Sequence, residues 1–295
     1  MSVLALGGVK YNFLPDSRAA AVVSRAIDLG VNYIDTAHGY EDSERKIGLV
    51  MPERRDHVYL ATKSGARDRA GMARDIEESL RRLQTDRLDC VQIHDLKDEA
   101  DLAKALGRDG AVKAIEEYRA SGQVRFAGVT GHRDPHILAK ALAEYPFDTI
   151  LSAMGAVHEA IRPFQGVVLP AARQRGVGVM GMKVLAYAFL AEHAEEALRF
   201  VMGTEGISTA VVGMDTIEQL ESNIRVAREL RPLTEAECAE LIARAGEIYR
   251  RREAEAWFIK RCCLLRDRTF VQVRSKPVSV RPASKPQDEQ NTRLP

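Results

Sequence analysis

Short apolar runs rich in β-formers alternate with helical patterns along most of this 295-residue chain, and the alternation repeats eight times. The runs are Val3 to Val9, Val31 to Asp35, Val58 to Lys63, Leu88 to His94, Val124 to Thr130, Thr149 to Met154, Val177 to Lys183 and Ser208 to Met214. Between them, stretches such as Arg18 to Leu29, Met72 to Leu83 and Ala111 to Arg119 repeat apolar residues at three and four, covering one helical face. Strands separated by helices predict a parallel sheet of βα units. Eight units in about 230 residues match a closed (β/α)8 barrel, so the expected fold is an α/β TIM barrel in a single domain. The rival, an open doubly wound sheet, is disfavoured because no G-x-G-x-x-G follows the first strand.

Helix punctuation agrees with this layout. Ser17, Asp134 and Thr216 are expected N-caps, and Gly30, Gly122 and Gly176 fall where a left-handed C-terminal cap is wanted. The barrel is expected over residues 1–232. Residues 233–261 read as a charged helix, Thr234 to about Lys260, with an apolar stripe through Cys238, Leu241, Ile242, Ala245 and Ile248 that packs on the barrel exterior. Residues 262–295 are expected to be a disordered tail, because beyond Arg274 Pro, Ser, Gln and Lys replace the large apolar residues that offset ordering entropy.

Composition narrows the partners. Lys and Arg number 43 against 42 Asp and Glu, so no overall field steers the chain toward nucleic acid or an anionic membrane, and a small neutral partner is expected. Cys90, Cys238, Cys262 and Cys263 show neither zinc nor disulfide spacing, so no metal and a reducing, cytoplasmic setting are expected. The apolar start ends at Gly7-Gly8, too short for a signal peptide, and no apolar run is long enough to span a membrane. Oligomeric state is left open.

In a (β/α)8 barrel the reacting groups sit at the C-terminal strand ends and the loops that follow. Asp35 ends the second run, Tyr40 lies in the loop after it, Lys63 ends the third run and His94 the fourth. Neighbouring strands are roughly 4.8 Å apart, so these side chains can form one cluster. Reducing a carbonyl by hydride requires an acid for the developing alkoxide, and a phenol with an ordinary pKa near 10 suits Tyr40 to that task. The Lys63 ammonium would stabilise the tyrosinate, Asp35 would hold the ammonium, and His94 would orient the substrate oxygen. Singly, an Asp at a strand end caps, a Lys is solvated, a Tyr packs and a His is satisfied locally; the convergence on three successive strands carries the reading.

The stretch from Gly30 to Glu44, Gly-Val-Asn-Tyr-Ile-Asp-Thr-Ala-His-Gly-Tyr-Glu-Asp-Ser-Glu, continued by Ile47-Gly48, resembles the aldo-keto reductase signature. Thr62-Lys63 and Leu88 to His94 resemble that family's Lys and His segments, in the same order and spacing. The resemblance covers roughly residues 3 to 248 and implies a catalytic tetrad of Asp35, Tyr40, Lys63 and His94. It also implies NADP(H) held in an extended pose across the barrel mouth, with a small carbonyl or alcohol as substrate. Thr130 and Gly131 would approach the nicotinamide carboxamide, with Ser152 replacing the usual Gln or Asn. Lys183 and Leu185 would line the pyrophosphate, in a segment where Val184 replaces a Pro. Gly213, Asp215, Gln219 and Asn223 would form the adenosine-phosphate site, the last two on one helix face.

Several departures from the family pattern shape these expectations. Asp215 stands where the family has a small polar residue beside the 2′-phosphate, and Ser222 replaces a frequent Glu. An acidic side chain there repels phosphate and suits a ribose hydroxyl, so NAD(H) is admitted beside NADP(H). Relatives carry a hairpin before the first barrel strand, so an open floor or a late start is expected. Some relatives carry an iron–sulfur domain, but adjacent Cys262 and Cys263 lack the ligand spacing. His38 and His132 read as loop or pocket-lining residues. The link from Leu185 to a helix near Ala194 leaves little room for a lid. A second function is also implied, a cofactor-binding regulatory or interaction protein resembling channel β-subunits of the superfamily, which binds NADPH without turnover.

Overall fold

The computed structural model describes residues 1–254. Its strands are β1 (Leu4–Gly7), β2 (Tyr33–Asp35), β3 (Tyr59–Ser64), β4 (Leu88–Ile93), β5 (Val124–Gly131), β6 (Thr149–Ala153), β7 (Gly178–Met182) and β8 (Ile207–Val212). Each pairs in parallel with the next, and β1 pairs with β8, so the sheet closes. The helices are α1 (Asp16–Asp28), α2 (Ser43–Gly48), α3 (Met51–Arg54), α4 (Arg69–Arg82), α5 (Glu99–Leu106), α6 (Ala111–Ala120), α7 (Pro135–Glu144), α8 (Ala156–Ile161), α9 (Gln165–Arg175), α10 (Ala194–Gly203), α11 (Ile217–Arg228) and α12 (Glu235–Ala254). The expected (β/α)8 barrel is the observed fold.

Most strands are shorter than their apolar runs, and at two of them the reason is local. The first run leaves the sheet after Gly7 and tightens into a 3₁₀ turn over Gly8–Phe13. The seventh stops before Lys183, whose φ of +61° ends extended geometry. Asp134 and Thr216 cap α7 and α11 by accepting from the His136 and Gln219 amides, and Gly176 closes α9 at φ +67°. Ser17 does not cap α1. The carbonyl of Pro15 accepts the first helical bond, from the Ala19 amide, so Ser17 lies inside the helix.

Helix α12 begins in a reciprocal cap: the Thr234 amide donates to Glu237 Oε2 at 2.7 Å and the Glu237 amide to Thr234 Oγ1 at 3.3 Å. Leu241 and Ala245 of its stripe are buried, and Gly246 approaches Ala160 of α8. The remainder of the expected helix, the expected tail, Cys262 and Cys263 lie outside the described residues. Among the described residues no helix is long and apolar enough to cross a membrane, and no group of three His, Cys, Asp or Glu is placed to hold a metal.

Candidate active site at the barrel mouth

Side-chain parity decides what reaches the barrel interior. Ala5, Tyr33, Ala61, Cys90, Leu151, Met180 and Val211 form one buried cluster, with Phe126 and Met182 packed against it. Residues two further along each strand point the same way. Asp35, Lys63, Gln92 and Gly128 therefore form the next layer, nearer the C-terminal mouth.

Lys63 Nζ donates to Asp35 Oδ2 and to the Thr36 carbonyl, both at 2.6 Å, and Gln92 Nε2 donates to Asp35 Oδ1 at 2.9 Å. Lys63 is 1% exposed and Asp35 3%, so this ion pair is withdrawn from water. The ammonium lies 4.8 Å from the Tyr40 ring centroid, and that ring meets His94 edge-on with centroids 5.5 Å apart. Asp35, Lys63, Tyr40 and His94 thus form one contact chain. The sequence reading missed Gln92. Its signal was parity, since Cys90, Gln92 and His94 alternate along one face of β4. Gly128 leaves room for it: a Cβ there would lie 2.8 Å from Gln92 Cγ and 2.6 Å from Thr149 Oγ1.

Charge and burial set the protonation of these groups. Burial works to lower the Lys63 pKa, but the Asp35 carboxylate and Tyr40 outweigh it and hold the ammonium charged. Burial raises the Asp35 pKa against the opposing pull of Lys63 and Gln92. Burial also raises that of Tyr40, while Lys63 restrains the rise by charge and hydrogen bonding. Burial first, and Lys63 second, bring the His94 imidazole down to about 3, so it is neutral at neutral pH.

The loop after β4 is fastened to β5. The Asp95 amide donates to Thr130 Oγ1 at 3.0 Å and the Leu96 amide to the Thr130 carbonyl at 2.8 Å. Asp95 Oδ1 lies 3.3 Å from His132 Nε2, and Asp95 Oδ2 accepts from Arg133 Nη2 at 3.2 Å. Thr130 faces the interior with its oxygen already accepting one bond. Gly131 faces the helices, since a Cβ there would lie 2.8 Å from Leu138 of α7. Its backbone alone reaches the mouth.

Ser152 points away from the interior. It pairs with Gly181, where a Cβ would meet Val201 of α10 at 2.6 Å, so this row faces the helices, and the Ser152 hydroxyl is buried there without a partner. Leu151, its neighbour along the strand, belongs to the buried interior cluster.

Lys183 opens a loop in which Lys183, Ala186, Tyr187 and Ala188 all have positive φ, between 43° and 70°. Gly155 lets this loop pass, because a Cβ there would sit 2.4 Å from the Lys183 carbonyl. Lys183 Nζ lies 4.1 Å from the Tyr187 ring centroid and hydrogen-bonds the Tyr187 hydroxyl. Burial and the Lys183 charge together bring His132 down to about 4 and His158 to about 3. Leu185, half-buried, lies in the same loop.

Across the mouth, Gly213 packs on Lys10, where a Cβ would lie 3.2 Å from Lys10 Cγ. The Asp215 amide donates to Gln219 Oε1 at 3.1 Å, and the Asp215 carbonyl accepts from Arg18 Nε at 3.1 Å. Gln219 is exposed and Asn223 is buried, one turn apart on α11. The Tyr11 hydroxyl is buried without a partner and senses the Asp215 charge. Cations at Lys10, Arg18 and Lys183, a helix N-terminus and a close-approach glycine suit an extended anionic dinucleotide.

The sequence profile described as the Aldo/keto reductase family matches residues 3–196. An L-galactose dehydrogenase of Arabidopsis thaliana is 27% identical over 273 residues, 77% of this chain and 83% of the relative. A D-threo-aldose 1-dehydrogenase of a Pseudomonas species is 29% identical over 218 residues, 63% of this chain and 65% of the relative. The crystal structure of an aldo-keto reductase from Klebsiella pneumoniae in complex with NADPH superimposes at a TM-score of 0.69 with 26% identity, covering 83% of this chain and 91% of that one. Barrel topology, the charged layer at its mouth and a profile match that spans the residues of that layer converge, and the chain belongs to the aldo/keto reductase family of oxidoreductases.

Proposed function

We propose that the protein transfers hydride between NADP(H) and a small aldehyde, ketone or alcohol, with Tyr40 as the general acid and base. The observation that carries this reading is the continuous contact from Asp35 through Lys63 to Tyr40 and His94 at one barrel mouth. When bound, the nicotinamide supplies or accepts the hydride.

In reduction, a C–H bond forms at the carbonyl carbon while the C=O π electrons move to oxygen. Tyr40 gives its hydroxyl proton to that oxygen, and the Lys63 ammonium offsets the charge of the phenolate left behind. Neutral His94 offers an N–H to the same oxygen, and Asp35 with Gln92 holds Lys63 in place. Alcohol oxidation runs the same steps backward, with tyrosinate as base. Lys183, Lys10 and Arg18 would hold the phosphates, with Gly213, Gln219 and Asn223 lining the adenosine end and Asp215 admitting NAD(H). Thr130 and the Gly131 backbone would meet the carboxamide, and Leu185 the pyrophosphate; Ser152, facing the helices, drops out.

Tyr40→Phe tests the reading. Its kcat with an aldehyde panel should fall by roughly 10²-fold or more, the scale of a lost general acid, while NADPH affinity by fluorescence titration stays close to the parent's. Undiminished turnover removes Tyr40 from the mechanism. NADPH binding by the unaltered protein with negligible turnover across the panel favours a cofactor-binding regulatory protein.

A further inference from the structure

Behind the reacting layer, on the outer face of β3, a second polar group spans the elements that carry Tyr40 and Lys63. Lys63 points inward, so Thr62 and Ser64 on either side of it point outward. Thr62 Oγ1 donates to Glu44 Oε1 at 2.6 Å, and Ser64 Oγ donates to Asp75 Oδ2 at 2.5 Å. Glu44 belongs to α2, fully buried, and Asp75 to α4. Between the two carboxyls sits the imidazole of His38, with Nδ1 3.9 Å from Glu44 Oε2 and Nε2 3.6 Å from Asp75 Oδ1.

His38 lies two residues before Tyr40 in the loop after β2, and its amide donates to the Lys63 carbonyl at 2.9 Å. Arg82 of α4 completes the group: its Nη1 donates to the His38 carbonyl at 3.3 Å and lies 3.6 Å from Glu44 Oε2. Two buried atoms here lack hydrogen-bond partners, His38 Nδ1 and Glu44 Oε2, and they are the two that stand 3.9 Å apart. A closing movement of about 1 Å joins them. A buried polar atom without a partner forfeits its hydration with nothing in return. Two of them opposite each other beside the reacting layer are a poor solution for stability alone.

We infer that His38, Glu44 and Asp75 form a positioning unit that locks the Tyr40 loop to the Lys63 strand and so fixes the phenol against the ammonium. The inference rests on the acid–base reading of Tyr40. None of the three touches the reacting atoms; each acts through the backbone of Tyr40 or Lys63. Thr62 and Ser64 fix the strand, Glu44 and Asp75 fix the hydroxyls, and His38 ties the loop to both carboxyls. Loss of the unit lets the phenol drift, and misplacement by about 1 Å is enough to cost 10²-fold in rate.

His38→Ala, Glu44→Gln and Asp75→Asn are made singly, and His38→Ala also in the Tyr40→Phe background. Each single variant should lose roughly 10- to 100-fold in kcat, with NADPH affinity unchanged and a larger primary isotope effect from NADPH deuterated at the transferred position. In the Tyr40→Phe background His38→Ala should change the residual rate less than about twofold, because the group it positions is gone. Asp75→Asn keeps an acceptor for Ser64 and guards against simple misfolding. A kcat unchanged by all three substitutions overturns the unit, as does a His38→Ala loss of equal size with and without the Tyr40 hydroxyl. Full turnover by Tyr40→Phe alone overturns the acid–base reading instead, so the two failures are distinguishable.

Discussion

The Lys63 ammonium has one hydrogen-bonded carboxylate, one hydrogen-bonded carbonyl and one phenol at its face, and this environment decides how Tyr40 titrates. Burial lifts the phenol above its ordinary value of 10.0 and the Lys63 charge restrains that lift. Lys63→Met removes the restraint and leaves the Asp35 charge, which pushes in the same direction as burial. On the proposed mechanism alcohol oxidation needs the tyrosinate, so its rate should climb with pH through the alkaline range in the parent. In Lys63→Met the climb should move to higher pH, read from kcat/KM profiles. A profile that moves to lower pH would show that Lys63 does not govern the phenol. The grouping of Asp35, Lys63 and His94 was legible in the sequence because their spacing put them at or just beyond the ends of neighbouring strands, with Tyr40 in the loop after the second. Gln92 and Ser152 were misjudged for one shared reason. Polarity chose Ser152 and overlooked Gln92, whereas parity along the strand sends Ser152 to the helices and Gln92 to the interior. His38 and Glu44, both inside the signature stretch, revealed nothing of their distance to Asp75, which only the packing of α4 supplies.

The strands and the longer helices were legible because period-2 and period-3.6 patterns differ over even a few residues. The short connections were not. The chain from Lys183 to Leu190 has no Gly or Pro to announce left-handed geometry, yet four of its residues adopt it, at a cost of about 1–2 kcal/mol each. The strand ends and Gly155 impose that path on the loop; local preference does not. Caps were legible where an Asp or Thr preceded a helical run, as at α7 and α11, and illegible at α1, where a proline carbonyl takes the place. The α11 cap also shapes the expected phosphate site, because Thr216 Oγ1 holds the Gln219 amide at 3.1 Å and the Gln219 side chain returns to the Asp215 amide. Thr216→Ala should therefore cost about 1 kcal/mol of stability, seen as a lower thermal midpoint, and should weaken NADPH binding while leaving kcat at saturation near the parent's. An unchanged midpoint together with unchanged NADPH affinity would separate the cap from the cofactor.

At the scale of the molecule, eightfold alternation was the strongest signal in the sequence, and it dictates that unlike groups from distant parts of the chain meet at one mouth. That convergence has a consequence for acid stability. Burial, aided by cations at Lys63 and Lys183, holds three imidazoles neutral, with His94 and His158 brought down to about 3 and His132 to about 4. In the unfolded chain each returns to about 6.5. Below that pH the unfolded state binds more protons than the folded one, so stability is complete above pH 6.5 and is lost as pH falls toward the folded values. Asp35 and Glu159, raised by burial, work in the opposite direction over their own ranges. The thermal midpoint should therefore begin to fall near pH 6.5, well above the carboxylate range, and keep falling to pH 4. His158 lies outside the reacting layer, and its Nδ1 is buried without a partner, so His158→Phe should flatten this slope while sparing the chemistry. A midpoint level from pH 6.5 to 4.5 in the parent would mean that these imidazoles take up protons in the folded barrel.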